Sequence, residues 1–198
     1  MRKAVPGFTM IELMVTLAVA AIVVTMAVPS FQSMINGNRL TSAANEMIGS
    51  LQLARSEAIR RNGRAGVCMS TNTNSGEDAT CATANVDGWI TFVDANDDGD
   101  FDKAGDTLLR VFRLDPPVVH GLSAGIGANT VIFRPDGLAR DEDGGGGPGT
   151  GLLDATIRFC IPTNQPRENA RDVEIASGSR IASIRANEAG LCPAPDDP

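Results

Sequence analysis

Tyrosine is missing from this 198-residue chain, tryptophan occurs once (Trp89) and histidine once (His120). With aromatics at 4%, valine, isoleucine, leucine and alanine must fill any core. No C-x-x-C pair occurs, and a single histidine cannot complete the close ligand pairs of a structural zinc site. His120 follows Val118-Val119 and reads as a structural residue, because no nucleophile or second base accompanies it. The glycine-rich stretch Asp141–Gly151 (DEDGGGGPGTG) contains no Gly-Lys-Ser/Thr, which excludes a phosphate-binding loop and leaves a mobile surface loop. No catalytic set is present, so the sequence argues against an enzyme.

The length suits one globular domain with an extension. Glycine (21) and proline (11) favour a turn-rich, β-rich globular part. The formal net charge of -7 should keep the molecule as a whole away from nucleic acid. That charge is uneven. Between Ser70 and Asp115 ten acidic residues face three basic ones, whereas between Arg158 and Asn187 five arginines face three acids. Four cysteines (Cys68, Cys81, Cys160, Cys192) make two disulfides in an oxidising compartment. Of three connectivities, Cys68–Cys81 with Cys160–Cys192 closes the shorter loops.

One long apolar run opens the chain. Arg2 and Lys3 precede Phe8 to Val28, 21 residues that are apolar except for Thr9, Glu12, Thr16 and Thr25. As a helix this run spans about 31 Å, enough for the hydrocarbon core of a bilayer, and the basic flank should remain cytoplasmic. Pro29 should close the segment. Glu12 is the anomaly, since an acid near the centre of a membrane helix costs roughly 2.5–3.5 kcal/mol, less near an end. Neither a secretory signal peptide nor a plain anchor gains from it.

Gly7-Phe8-Thr9-Met10-Ile11-Glu12-Leu13 resembles the prepilin peptidase motif of type IV pilins and type II secretion pseudopilins. The resemblance implies cleavage between Gly7 and Phe8, N-methylation of Phe8, and Pro29 as the twenty-second residue of the mature chain. It also implies a partner for Glu12: the first amino group of a neighbouring subunit. Such a buried pair adds little net stability but selects register.

From Phe31 to Asn62 an apolar stripe recurs at helical spacing (Leu40, Ala44, Met47, Leu51, Ala54, Ala58), widened by Ile48 and Ile59. Asn45, Glu46, Ser50, Gln52, Ser56 and Arg60 fall on the other side, Gly37-Asn38 invites a break, and Asn62-Gly63 reads as a C-cap. Beyond Gly63, strands are expected at Ala65–Met69, Trp89–Asp94, Thr107–Leu114, Thr130–Arg134, Thr156–Ile161, Val173–Ala176 and Ile181–Arg185. Asp87-Gly88-Trp89-Ile90-Thr91-Phe92-Val93-Asp94, Phe133-Arg134-Pro135-Asp136-Gly137 and an arginine-bearing strand closing on a cysteine resemble the GspH/FimT group of minor pilins.

The expected protein is therefore α+β. Residues 1–7 form a cleaved leader, 8–62 a helix with its membrane part at 8–28, and 63–198 a periplasmic head built on a small antiparallel sheet. The resemblance implies a single-pass inner-membrane subunit processed by prepilin peptidase that joins major and minor pilins in a filament. A minor pilin of a type IV pilus is the leading expectation, a GspH-type pseudopilin of type II secretion the alternative, and a DNA-binding module for natural transformation the alternative of another class.

Two constellations remain. Asp94, Asn96, Asp98, Asp100 and Asp102 match the first half of an EF-hand calcium loop, but Gly105 stands where the closing glutamate belongs; an Asx-rich hairpin turn is the competing reading. Ser177-Gly178-Ser179-Arg180, followed by Arg185, is a degraded form of the Gly-Arg-x-Arg motif of DNA-binding FimT-like pilins. Arg180 and Arg185, with Arg167 and Arg171, are the candidate DNA contacts. On one regular strand Arg180 and Arg185 would face opposite sides, and solvated arginines on an edge strand are the plainer reading.

Overall fold

The structure is a computed structural model that describes residues 7–141, 151–176 and 178–198. The leader apart from Gly7, most of the expected Asp141–Gly151 loop, and Ser177 lie outside the described residues.

Helix α1 runs from Met10 to Arg61, 52 residues without interruption. Thr9 is its N-cap, and Asn62, in the left-handed conformation (φ 50°), closes it by donating its N–H to the Ala58 and Ile59 carbonyls. The helix passes straight through Pro29 and Gly37-Asn38, where the sequence suggested a stop and a break. Proline removes one donor, but its fixed φ is a helical value, so it interrupts one bond and not the path of the chain. One residue before Gly37 the helix already bonds the head, Asn36 donating to the Gln165 carbonyl. Arg60 and Arg61 both reach Glu57 in the last turn, and their hydrogen bonds pull its carboxyl down to about 2.

Among the described residues ten strands follow: β1 (Arg64–Ser70), β2 (Gly88–Asp94), β3 (Thr107–Arg113), β4 (Val119–Leu122), β5 (Thr130–Phe133), β6 (Ala139–Asp141), β7 (Gly151–Leu152), β8 (Ala155–Cys160), β9 (Ala170–Ala176) and β10 (Arg180–Ala186). They form two antiparallel sheets, ordered β3-β2-β1-β5-β6-β7 and β10-β9-β8-β4, rather than the one small sheet expected.

The C-terminal half of α1 packs on both sheets. Leu40, Ala44, Met47, Leu51, Ala54 and Ala58 are all buried, joined by Ala43. Ile59, placed on the same stripe, is exposed because it lies at the margin of the contact. Ser50, read as a polar-face residue, is fully buried and accepts a 2.9 Å hydrogen bond from the Trp89 indole. Trp89 also stacks on Phe112 of β3 and meets Phe159 of β8, so one side chain joins the helix to both sheets. A buried indole N–H needs an acceptor, and the helix supplies it.

Cys68–Cys81 ties β1 to the segment that follows it, and Cys160–Cys192 ties the end of β8 to the C-terminal tail. The tail lies along β4: a Cβ on Gly121 would sit 3.3 Å from Pro195. Arg158 of β8 holds the same tail in place. It makes paired 2.7 Å bonds to Asp172, a 2.8 Å ion pair to Glu188, and a hydrogen bond to the Pro193 carbonyl.

Candidate filament-assembly site

Gly7, Phe8 and Thr9 are non-helical and exposed ahead of the first helical residue. Thr9 and Glu12 form a capping box: the Glu12 N–H donates to Thr9 Oγ1 at 3.3 Å, and the Thr9 N–H donates to Glu12 Oε2 at 3.5 Å. The carboxylate of Glu12 thus sits at the positive end of its own helix, where an anion is favoured. Among the described residues it is held by these local bonds alone, so another donor can take it over. Beyond it, Met10, Ile11, Leu13, Met14, Val15, Leu17, Val19, Ile22, Val23 and Val24 are more than half exposed, and the exposed apolar surface continues through Val28, Phe31, Met34 and Ile35. Thr16 and Thr25 turn their hydroxyls back to the carbonyls of Leu13 and Ile22, which removes their cost on an apolar surface. Among the described residues, α1 is the one helix long and apolar enough to cross a membrane.

The four candidate DNA arginines do not form one site. Register between β9 and β10 is unbroken, with Arg180 opposite Ala176 and Arg185 opposite Arg171. No bulge corrects the five-residue spacing, so Arg180 and Arg185 lie on opposite faces and about 17 Å apart along the strand. Arg55 donates to the carbonyl of Ser179, which puts Arg180 beside the C-terminal end of α1. Asn36 donates to the carbonyl of Gln165, which puts the loop carrying Arg167 beside the middle of α1, some 28 Å away along its axis. Arg171 is buried, its guanidinium donating to the carbonyls of Glu168 and Ala170. Burial, with Arg185 nearby, lowers its pKa, and it offers no free surface to a ligand.

The Asp94–Asp102 loop does not gather the five expected ligands either. The oxygens that converge, within 4.8 Å of one another, belong to Asp94, Asp98 and Asp106. Asp106 lies one residue past the EF-hand's closing position, so the motif template passed over it. Asp94 is buried against Arg64 (2.9 Å) and accepts the Asp98 and Gly99 amides. Burial raises its pKa, opposed by Arg64 and the Gly99 amide. Asp98 accepts the Asp100 amide and the Asn96 side chain; Asp106 accepts the Ala95 and Asp102 amides. Asp100 and Asp102 cap the amides of Phe101 and Ala104. These are the bonds of a self-closing Asx-rich turn.

An exposed apolar helix with one acid near its start, continuous with a disulfide-tied β-rich head, defines a pilin-like protein. The chain matches the family described as Type II transport protein GspH over residues 43–179, and it belongs to that family. A second match, to the Prokaryotic N-terminal methylation motif, covers residues 2–28. Among solved structures the chain is similar to the type IV minor pilin FimU of Pseudomonas aeruginosa (strain PAO1) in two crystal forms. In space group P65 identity is 17% over 73% of this chain and 92% of that chain, TM-score 0.47; in P21 it is 18% over 74% and 89%, TM-score 0.48. No curated protein sequence matches significantly. Members of this family are structural pilin subunits rather than enzymes, and membership implies assembly with other pilins. The methylation motif and the apolar helix together are consistent with anchoring in the inner membrane.

Proposed function

We propose that the chain is a minor pilin of a type IV pilus, cleaved by prepilin peptidase between Gly7 and Phe8 and methylated on Phe8, with its head in the periplasm until assembly. The observation that carries this is the capped start of α1: Glu12 sits exposed beside the future N-terminus, on a helix whose apolar side chains from Met10 to Ile35 are largely exposed among the described residues. Stacking against other pilins would bury that surface and exchange the local bonds of Glu12 for a neighbour's amino group. Two disulfides suit a head in an oxidising compartment.

Mass spectrometry of pili sheared from the cell surface tests this reading. The expected result is a mature chain beginning at methylated Phe8 within the filaments. An intact leader, or cleavage after Ala27, would overturn the processing. A chain absent from sheared pili, whose deletion abolishes protein secretion, would move it to the type II secretion alternative.

The DNA role is confined to Arg180, which the turn at Gly178 (φ 78°) leaves exposed at the far end of the head. One arginine supplies a backbone contact without sequence preference. For the acidic loop we infer closure by Arg64 and by its own amides, without a resident ion.

A further inference from the structure

We propose that Arg167 and Arg185 bind the phosphate groups of anionic phospholipids, holding the base of the head against the bilayer before assembly. This rests on the anchoring reading above and adds a lipid partner to it.

The distances along α1 set the level of these arginines. Exposed apolar side chains run from Phe8 to Ile35, well past Pro29. Those 28 residues rise about 42 Å, more than the roughly 30 Å hydrocarbon core and close to the full bilayer with its headgroups. Asn36, the next residue, bonds the Gln165 carbonyl. The loop that bears Arg167 is therefore fixed where the helix leaves the headgroup layer. Arg185 arrives at the same end, because the register places it opposite Arg171 and next to Ala186, the partner of Ala170.

Charge at this end is unbalanced. Arg158 takes both Asp172 and Glu188 on the other face of the sheet, which leaves Glu168 as the acid beside Arg171. Arg171 is occupied by backbone carbonyls, and Arg185, exposed directly across the strand pair from it, gains no partner there. No ion pair is formed by Arg167 or Arg185 among the described residues. The acidic loop lies at the opposite end, where Arg64, three residues beyond α1, pairs with Asp94 and Asp97. Exposed arginines without an ion pair at the membrane-facing end, with the acidic loop held far from it, are drawn toward an anionic surface. DNA fits this end poorly, since a bilayer standing on the same surface would exclude a duplex.

The test uses the full chain in nanodiscs containing a phosphatidylglycerol probe with a photoreactive headgroup. Crosslinks should map to peptides covering 162–168 and 183–187. Unlabelled phosphatidylglycerol should compete and phosphatidylcholine should not. Each arginine near an anionic surface is worth about a fivefold gain in affinity, so Arg167→Gln with Arg185→Gln should weaken capture roughly 25-fold. Arg180→Gln should leave it unchanged. Equal competition by phosphatidylcholine, crosslinks that survive the double substitution, or equal loss with Arg180→Gln would each overturn the proposal. So would duplex DNA binding to the lipid-free chain that the double substitution abolishes, which would assign these arginines to nucleic acid. An acyl-chain probe run in parallel separates the two readings: its failure to label Phe8–Val28 sinks the anchor itself.

Discussion

His120 lies on β4 directly across from Phe159, and burial holds its imidazole below the ordinary 6.5. Its folded pKa is depressed, so below about pH 6.5 the unfolded chain takes up a proton that the folded chain resists. The stability it contributes is present above 6.5 and is lost as pH falls toward the folded value. It is the one histidine in the chain, which makes the effect separable. Melting of the wild type and His120→Gln, compared from about pH 7.5 to 5.5, should show the wild type losing more on acidification. Parallel curves would remove His120 from the account. Asp94, raised by burial, acts with the opposite sign, but both proteins share it and it cancels in the difference. Serine 50 shows where single residues escape a sequence pattern. Helical periodicity sorts serine to the wet side, yet Ser50 is buried because the Trp89 N–H requires an acceptor at that point of the core.

At the scale of elements, the acidic loop is the clearest case of a motif with two meanings. Spacing alone fits half a calcium loop, and only the fold reveals that Arg64 occupies the cationic position beside Asp94. Adding calcium in place of chelator should therefore leave the melting temperature of the chain unchanged. Saturating binding, at a hundred times the dissociation constant, would add about 2.7 kcal/mol. A domain of this size would then melt several degrees higher, and such a rise would refute the self-closed loop. The long strands were legible because apolar runs between turn residues mark them. Strands β6 and β7, of three and two residues, are too short to carry a periodic signal, and β4 (Val-His-Gly-Leu) is broken by a glycine that weakens the pattern. Division into two sheets follows from pairing partners distant in sequence, which no local pattern encodes.

For the whole molecule, the N-terminal motif was readable because processing and membrane insertion act on a linear segment. The candidate DNA site was not, because it needed Arg180 to converge with Arg185 and the 162–168 loop, and the register sends Arg180 to the opposite end of the head. The same scale carries the test of Glu12. Glu12→Ala removes the capping box and the one acid of the apolar run, so the chain should insert in the membrane at least as well as wild type. It should then be missing from sheared pili, since nothing remains to fix its register against a neighbour. Normal recovery in filaments would sink the assembly role of this carboxylate.

The joint at Trp89 has a mechanical side. A subunit of a filament under tension is pulled along its helix, while the drag falls on its head. Because contacts from Leu40 to Ala58 lie in one row along α1, an axial pull loads them together in shear and does not peel them one by one. Trp89 sits within that row and grips Ser50, Phe112 and Phe159 at once, so slippage of the helix past either sheet must break the same side chain free.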